Sequence, residues 1–227
     1  MAALLGVLAA AFAFWFVIFS PWTNQHISFW PTMSCCCVML ATAALALQRK
    51  NLSAIFNIDL TKMRLLNKIH SNQMIRPKMS IVTIFFIGTA SAVVLYGIFG
   101  VGHLVSSLIL PFAQSQVSDL YVNREQGDLF VIAILLLFVI APAEEIFWRG
   151  LVQDRFQKRF GVIAGMVLAS VIYAAVHIWS FNFMLIAAAF VCGIFWGAMY
   201  ACFGSLWPCI ISHALWDVMI FVWLPIK

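Results

Sequence analysis

Apolar residues in this chain come in blocks of about 20, the length a helix needs to cross the roughly 30 Å hydrocarbon layer of a bilayer, and short polar stretches separate the blocks. Inside lipid every backbone N–H and C=O must be satisfied within the protein, so each block is read as a helix and a bundle of helices is the architecture left. The blocks fall at about Ala2 to Ser20, Ser28 to Leu47, Ser80 to Leu110, Leu129 to Val152, Val162 to Trp179, Phe183 to Phe203 and Leu206 to Leu224, with Gly97, Gly100 and Gly102 marking a candidate break in the third. The reading is therefore an all-α, polytopic transmembrane bundle of about seven helices, a multi-pass protein of the cell membrane with lipid as its first partner. Composition agrees: 64% of residues are hydrophobic and 9% charged, against roughly 25% charged in a soluble domain.

Charge then orients the bundle. Of the 13 Lys and Arg, seven lie between Arg49 and Lys78, and Arg155, Lys158 and Arg159 form a second basic segment. Under the positive-inside rule both segments are cytoplasmic. The N-terminus is then inside, the C-terminus outside, and the Gln114 to Asp128 loop, with three acids to one base, outside. The Asn51 to Lys78 stretch mixes apolar and basic residues and reads as an interfacial amphipathic helix. A net charge of +5 is thus topological, and without a basic, aromatic-interleaved face it gives no nucleic-acid signal. The first block lacks a basic n-region and exceeds a signal-peptide core in length, so it is read as a mature span. Six cysteines without metal-site spacing read as small buried hydrophobes. Internal repeats are not evident, which leaves transporter-style inverted halves unsupported.

Charges in the middle of a span cost a few kcal/mol, and such residues face a cavity or a partner rather than lipid. The fourth block holds Glu144, Glu145 and Arg149 within a turn and a half. Glu145 and Arg149 stand at i and i+4 and can pair; Glu144 points about 100° away and is free to face other helices. Pro142, just before them, predicts a bend or restart. The fifth block sets Tyr173 and His177 one turn apart on one face, and the seventh does the same with His213 and Asp217. An intramembrane polar cavity follows if these faces converge. An acid, two imidazoles and a second carboxylate suit the activation of water, one group taking a proton while others stabilise negative charge developing on a carbonyl oxygen. Zinc is a rival use: Glu144, His177 and His213 would supply three ligands with water as the fourth, although the H-E-x-x-H helix of common zinc proteases is absent. A purely structural polar network is the third use.

In order along the chain, Glu144-Glu145-x-x-x-Arg149, Tyr173-x-x-x-His177 and His213-x-x-x-Asp217 resemble the motifs of the CPBP family of intramembrane proteases, the CAAX-processing and bacteriocin-processing (Abi) proteins. The resemblance covers Leu129 to about Phe221. It implies that residues 1–128 supply supporting spans and the cytoplasmic segment, that residues 129–227 supply the catalytic helices, and that the two form a single integrated membrane domain. It further implies an endopeptidase acting on a peptide or protein substrate, prenylated in some members. Glu144 and His177 would activate water, His213 and Asp217 would line the oxyanion site, and Glu145, Arg149 and Tyr173 would support the geometry. Tyr173 stands where Phe is more usual, and Asp217 where the prenyl-protein proteases have Asn. An ionised Asp217 cannot donate to an oxyanion, so it must be protonated there or orient His213. Two non-enzymatic readings stay open: an immunity or scaffold protein that binds a peptide uncut, and a proton-coupled carrier.

Depth poses a problem for this site. Glu144 lies roughly 13 Å from the Gln153 end of its block and His177 roughly 24 Å from Gly161, taking about 1.5 Å per residue. The two would miss each other by about 10 Å unless tilt, a break at Pro142, or continuation of the helix beyond Gln153 brings them level.

Overall fold

A computed structural model describes residues 2–49, 56 and 79–226. The amphipathic helix expected over Asn51 to Lys78 lies outside the described residues apart from Phe56. Among the described residues seven helices are long and apolar enough to cross a membrane: α1 (Ala2–Phe19), α2 (Phe29–Gln48), α3 (Ile81–Ile109), α5 (Leu129–Phe160), α6 (Val162–Ser180), α7 (Phe183–Phe203) and α8 (Leu206–Trp223). A shorter helix, α4 (Ala113–Leu120), comes directly after α3. The all-α polytopic bundle is as expected, and each span is a helix because lipid offers its backbone no other partner. Their many outward apolar side chains, such as Phe86, Leu108 and Phe138, suit contact with lipid tails.

Polar residues punctuate the chain where it enters α3, α5 and α7. The Ser80 hydroxyl accepts the Thr83 N–H at 3.1 Å, Asp128 Oδ1 accepts those of Phe130 and Val131 at 2.9 and 3.1 Å, and Asn182 Oδ1 accepts that of Leu185 at 2.9 Å. Each bond satisfies an N-terminal donor that has no intrahelical partner. Gly161 (φ 88°) ends α5 in a conformation that favours glycine, and the chain reverses at once into α6.

Four expectations are corrected. α3 runs unbroken through Gly97, Gly100 and Gly102; an interruption would strand backbone groups in lipid, a larger penalty than glycine's weak helix propensity. The fourth span does not end at Val152 but continues to Phe160. Nor does the helix restart at Pro142: a π-helical turn over Leu136–Ile140 precedes the proline, with the Ala141 N–H bonded to the Leu136 carbonyl, so that the wider turn absorbs the missing donor and the ring. The cysteines divide. Cys36, Cys37, Cys192 and Cys209 are buried, whereas Cys35 and Cys202 are exposed on the outward faces of α2 and α7, where an apolar thiol is equally at home in lipid.

The α5–α6 hairpin closes through a backbone contact. A Cβ on Gly165 would come within 2.6 Å of Gln157 Cα and would also run into the backbone of Phe156. Gly97 has nothing within 4 Å of the equivalent point. Gly165→Val is therefore expected to lower stability by on the order of 1–3 kcal/mol, as overpacking does, and Gly97→Ala to leave it unchanged or slightly raised. Thermal unfolding of the detergent-solubilised variants, followed side by side, checks both.

Candidate active site

Continuation of α5 to Phe160 removes the depth mismatch. Glu144 stands 16 residues before Phe160 and His177 stands 16 residues after Gly161, about 24 Å from the turn on either arm at roughly 1.5 Å per residue. The two arms of the hairpin therefore present them at one level. One turn from His177, the Tyr173 hydroxyl donates to Glu144 Oε2 at 2.9 Å. Tyr173 thus holds one carboxylate oxygen of Glu144, and Oε1 has no protein partner among the described residues.

Glu145, on the neighbouring face of α5, is enclosed by protein. Its Oε1 accepts from Arg149 Nη1 at 2.9 Å and from His213 Nδ1 of α8 at 2.8 Å. Arg149 also donates from Nη2 to the Cys192 carbonyl of α7 at 3.2 Å, and its guanidinium lies over the Tyr173 and Trp196 rings at 5.0 and 5.3 Å. The anticipated i,i+4 pair is present, and it also joins α5, α6, α7 and α8. His213 stacks on Trp196 with centroids 3.8 Å apart, and Trp196 is held by its own N–H bond to Ser212 at 3.1 Å. With Nδ1 donating to a carboxylate already bound by Arg149, the other ring nitrogen, Nε2, is directed at Asp217 Oδ2, 3.4 Å away. That distance is too long for a full hydrogen bond, so Asp217 acts on the ring chiefly through its field.

His177 is gripped on both sides. Its Nδ1 lies 2.8 Å from the Tyr173 carbonyl, and Trp15 of α1 donates its indole N–H to Nε2 at 3.1 Å. Since Nε2 accepts, the proton sits on Nδ1 and is donated to Tyr173. The rings of Trp15 and Phe19 pack on the imidazole at 5.9 and 5.3 Å between centroids. Motif reading missed Trp15 and Trp196. Both lie in uniformly apolar runs, where no spacing distinguishes a tryptophan that meets a histidine from one that faces lipid.

Glu144, Tyr173, His177, His213 and Asp217 all line one cavity of about 400 Å³, whose remaining walls are mainly apolar side chains from the spans other than α6 and from α4. Glu145 and Arg149 stand behind this wall, buried to 0% and 2% exposure. Both ring nitrogens of His177 are engaged, and among the described residues no three His, Cys, Asp or Glu side chains are grouped to hold an ion. Chemically, the cavity offers a carboxylate with a free oxygen and an imidazole nitrogen on facing helices.

Residues 126–219 match the family model described as Type II CAAX prenyl endopeptidase Rce1-like. This bears out the resemblance to the CPBP proteases over less than half of the chain, the part that holds Glu144, Tyr173, His177, His213 and Asp217. Comparison with curated proteins and with solved structures gives no match.

Removing Arg149 would leave Glu145 buried without its cation. Arg149→Met is expected to destabilise the bundle by about 3–5 kcal/mol, the usual result of breaking a buried pair from one side, and Arg149→Lys should not restore it, since a lysine cannot reach Glu145 and the Cys192 carbonyl with a planar fork. The drop in midpoint on chemical unfolding in mixed micelles measures the loss.

Proposed function

We propose that this protein is an intramembrane endopeptidase that hydrolyses a peptide bond with a water molecule activated at Glu144. The observation that carries the proposal is the shared cavity: a carboxylate with one unoccupied oxygen on α5 and the His213 ring on α8 line a space large enough for a polypeptide segment. Similarity of this same region to a family of prenyl endopeptidases supports it independently.

In the proposed reaction Glu144 Oε1 takes a proton from water as its oxygen attacks the scissile carbonyl carbon. The Tyr173 hydroxyl, bonded to Oε2, holds the carboxylate in place for that transfer. Negative charge then gathers on the carbonyl oxygen, next to His213. As an imidazolium, with Nδ1–H held by Glu145, His213 turns a donating Nε2–H toward that oxygen, and Asp217 beside it supports the positive ring. On collapse of the tetrahedral intermediate the C–N bond breaks, and Glu144 returns its proton to the departing amine. His177 contributes at this water only when Nε2 exchanges the Trp15 N–H for it; with Trp15 in place, His177 braces the Tyr173 turn that positions Glu144. No step in this sequence requires a metal.

Apolar walls suit an apolar peptide segment or a prenylated peptide, and the family description favours the prenyl class. Purified protein in lipid nanodiscs, offered a farnesylated peptide and the same peptide without its lipid, is expected to cleave at least one of them, in the presence of chelator as in its absence. Glu144→Gln should lower kcat by on the order of 100-fold or more, the scale of a lost general base, with the unfolding midpoint unchanged; full activity in this variant refutes the assignment. His177→Ala is expected to lower kcat less than Glu144→Gln. Tight binding of peptide without any product would favour the immunity or scaffold reading instead.

A further inference from the structure

The cavity carries more polar groups than the proposed hydrolysis uses. Four further side chains with a hydroxyl, an amide or an imidazole line it: His103 and Ser106 on α3, and Tyr121 and Asn123 in the 3₁₀ turn Tyr121–Gln126 that follows α4. All four have hydrogen-bonding capacity left over. No described residue bonds either ring nitrogen of His103, and Nδ1 is buried in that state, which is unfavourable until a ligand group or a turn of the ring satisfies it. Ser106 donates its hydroxyl to the His103 carbonyl at 3.0 Å and keeps its acceptor lone pairs. The Tyr121 hydroxyl accepts the Ile226 N–H at 3.0 Å, so its own proton can be donated. Asn123 accepts at Oδ1 from Gln126 at 3.1 Å, and its amide N–H groups have no partner among the described residues. The turn itself is fixed, because the Trp30 indole of α2 donates to the Asn123 carbonyl at 2.8 Å.

Polar groups next along α5 from Glu144 are differently placed. Phe147, Trp148, Arg149 and Gln153 are buried there to 2% exposure or less. Gln153 donates to the Gly197 carbonyl at 2.8 Å, and Gln48 donates to the Gly150 carbonyl at 2.9 Å and to Asp154 at 2.8 Å. Lys158 closes on Asp154 at 2.6 Å. These bonds seal that layer within the protein, whereas the four groups on α3 and its following turn border open space.

A peptide that enters an apolar cavity brings backbone N–H and C=O groups that apolar walls cannot satisfy. We infer that His103 and Ser106, with Tyr121 and Asn123, form a subsite that binds the peptide backbone of the substrate to one side of the bond that is cut. The helix repeat sets its distance from that bond. The Phe99 ring of α3 lies 4.7 Å from the ring of Trp216, the neighbour of Asp217. His103 stands one turn beyond Phe99, about 6 Å along the axis, and an extended peptide advances about 3.3 Å per residue. His103 therefore meets the backbone roughly two residues from the scissile carbonyl. Donors and acceptors occur together in the subsite, so it takes N–H and C=O groups whatever side chains flank them. Such chemistry selects an extended segment, whose backbone groups are free, over a helical one, whose groups are bonded to each other. The inference rests on the endopeptidase reading for calling the ligand a substrate, but it concerns binding, which is measured without cleavage.

The test uses the full chain in lipid nanodiscs with Glu144→Gln as the parent, so that a bound peptide stays intact. Affinity is read by fluorescence anisotropy with a labelled farnesylated peptide and with its unlipidated form. Each amide of the peptide is replaced in turn by an ester, which removes the N–H and weakens the C=O as an acceptor. One or two neighbouring ester positions are expected to lower affinity for the parent about fivefold, the scale of a lost hydrogen bond. Adding His103→Leu should lower affinity for the all-amide peptide by a similar factor and make those same ester positions harmless. His103→Phe, which fills the space with a ring lacking the nitrogens, is measured beside it, and whichever variant folds decides. An all-amide peptide that binds the variant as tightly as the parent, equal sensitivity to esters in both, or an ester scan without effect on the parent overturns the inference, as does failure of both peptides to bind. Failure of the protease reading shows differently: a peptide bound by the protein with Glu144 intact and left uncut.

Discussion

A carboxylate with no access to water anchors this half of the bundle. Glu145 sits at 0% exposure, and one of its oxygens receives both the Arg149 guanidinium and the His213 ring. Taking such charges out of water costs several kcal/mol apiece, which attraction alone repays only when the geometry is good. The pair therefore contributes less to net stability than to uniqueness of arrangement: only one rotation of α8 brings His213 to Glu145, and only one position of α7 brings the Cys192 carbonyl to Arg149. With those helices fixed, Glu144, one residue along α5, points about 100° round the helix and into the cavity. Two adjacent glutamates thus divide between them the tasks of holding the helices and of meeting a substrate.

Much of this was legible from the amino acids because lipid simplifies the problem. Span positions follow from length and polarity alone, and six of the seven end within a few residues of where the apolar blocks end. The i,i+4 pairs at Glu145 and Arg149 and at His213 and Asp217 are a consequence of helical repeat. The errors share a cause. Ending α5 at Val152 treated Asp154, Arg155 and Lys158 as the close of the helix, when they mark only its emergence from lipid; an α-helix does not stop at the surface unless a residue such as Gly161 turns it. Pro142 misled for a related reason, since one wide turn before the ring keeps the backbone satisfied. Trp15 left no trace in any pattern, because its role depends on which of many apolar faces α1 turns to α6.

The family match begins at residue 126, yet the site also draws on the spans before that point. Trp15 of α1 supplies the donor to His177, Gln48 of α2 closes the layer below the cavity, and α3 packs along α8 and walls the space in front of Asp217 and Trp216. Phe99 lies 4.7 Å from the Trp216 ring, centroid to centroid. The first three spans therefore do what a hydrophobic stretch of unspecified sequence can do, which is to exclude lipid and define volume, together with contacts that need particular side chains, those of Trp15 and Gln48. Their lack of motif is consistent with that work: filling a wall constrains size and apolarity, whereas moving a proton constrains atoms.

Wide turns recur where the chemistry is. The chain is π-helical over Leu136–Ile140 and Trp148–Gln153, on either side of Glu144 and Glu145, and again over Met219–Trp223, just past Asp217. Each such turn inserts a residue without advancing the helix in proportion, and so rotates the C-terminal part of the span relative to the N-terminal part. Glu145, in the short α-helical stretch between the first two, and Arg149, one residue into the second wide turn, still lie close enough for their 2.9 Å bond. Outside it, α5 must present Leu136 and Ile140 to the cavity above and Trp148 and Gln153 to the sealed layer below. A regular helix of 32 residues could not turn an apolar stripe, a reactive acid and a buried ion pair to their separate neighbours in three helices at once. The departures from regular geometry allow one span to serve as the floor, the wall and the source of the base.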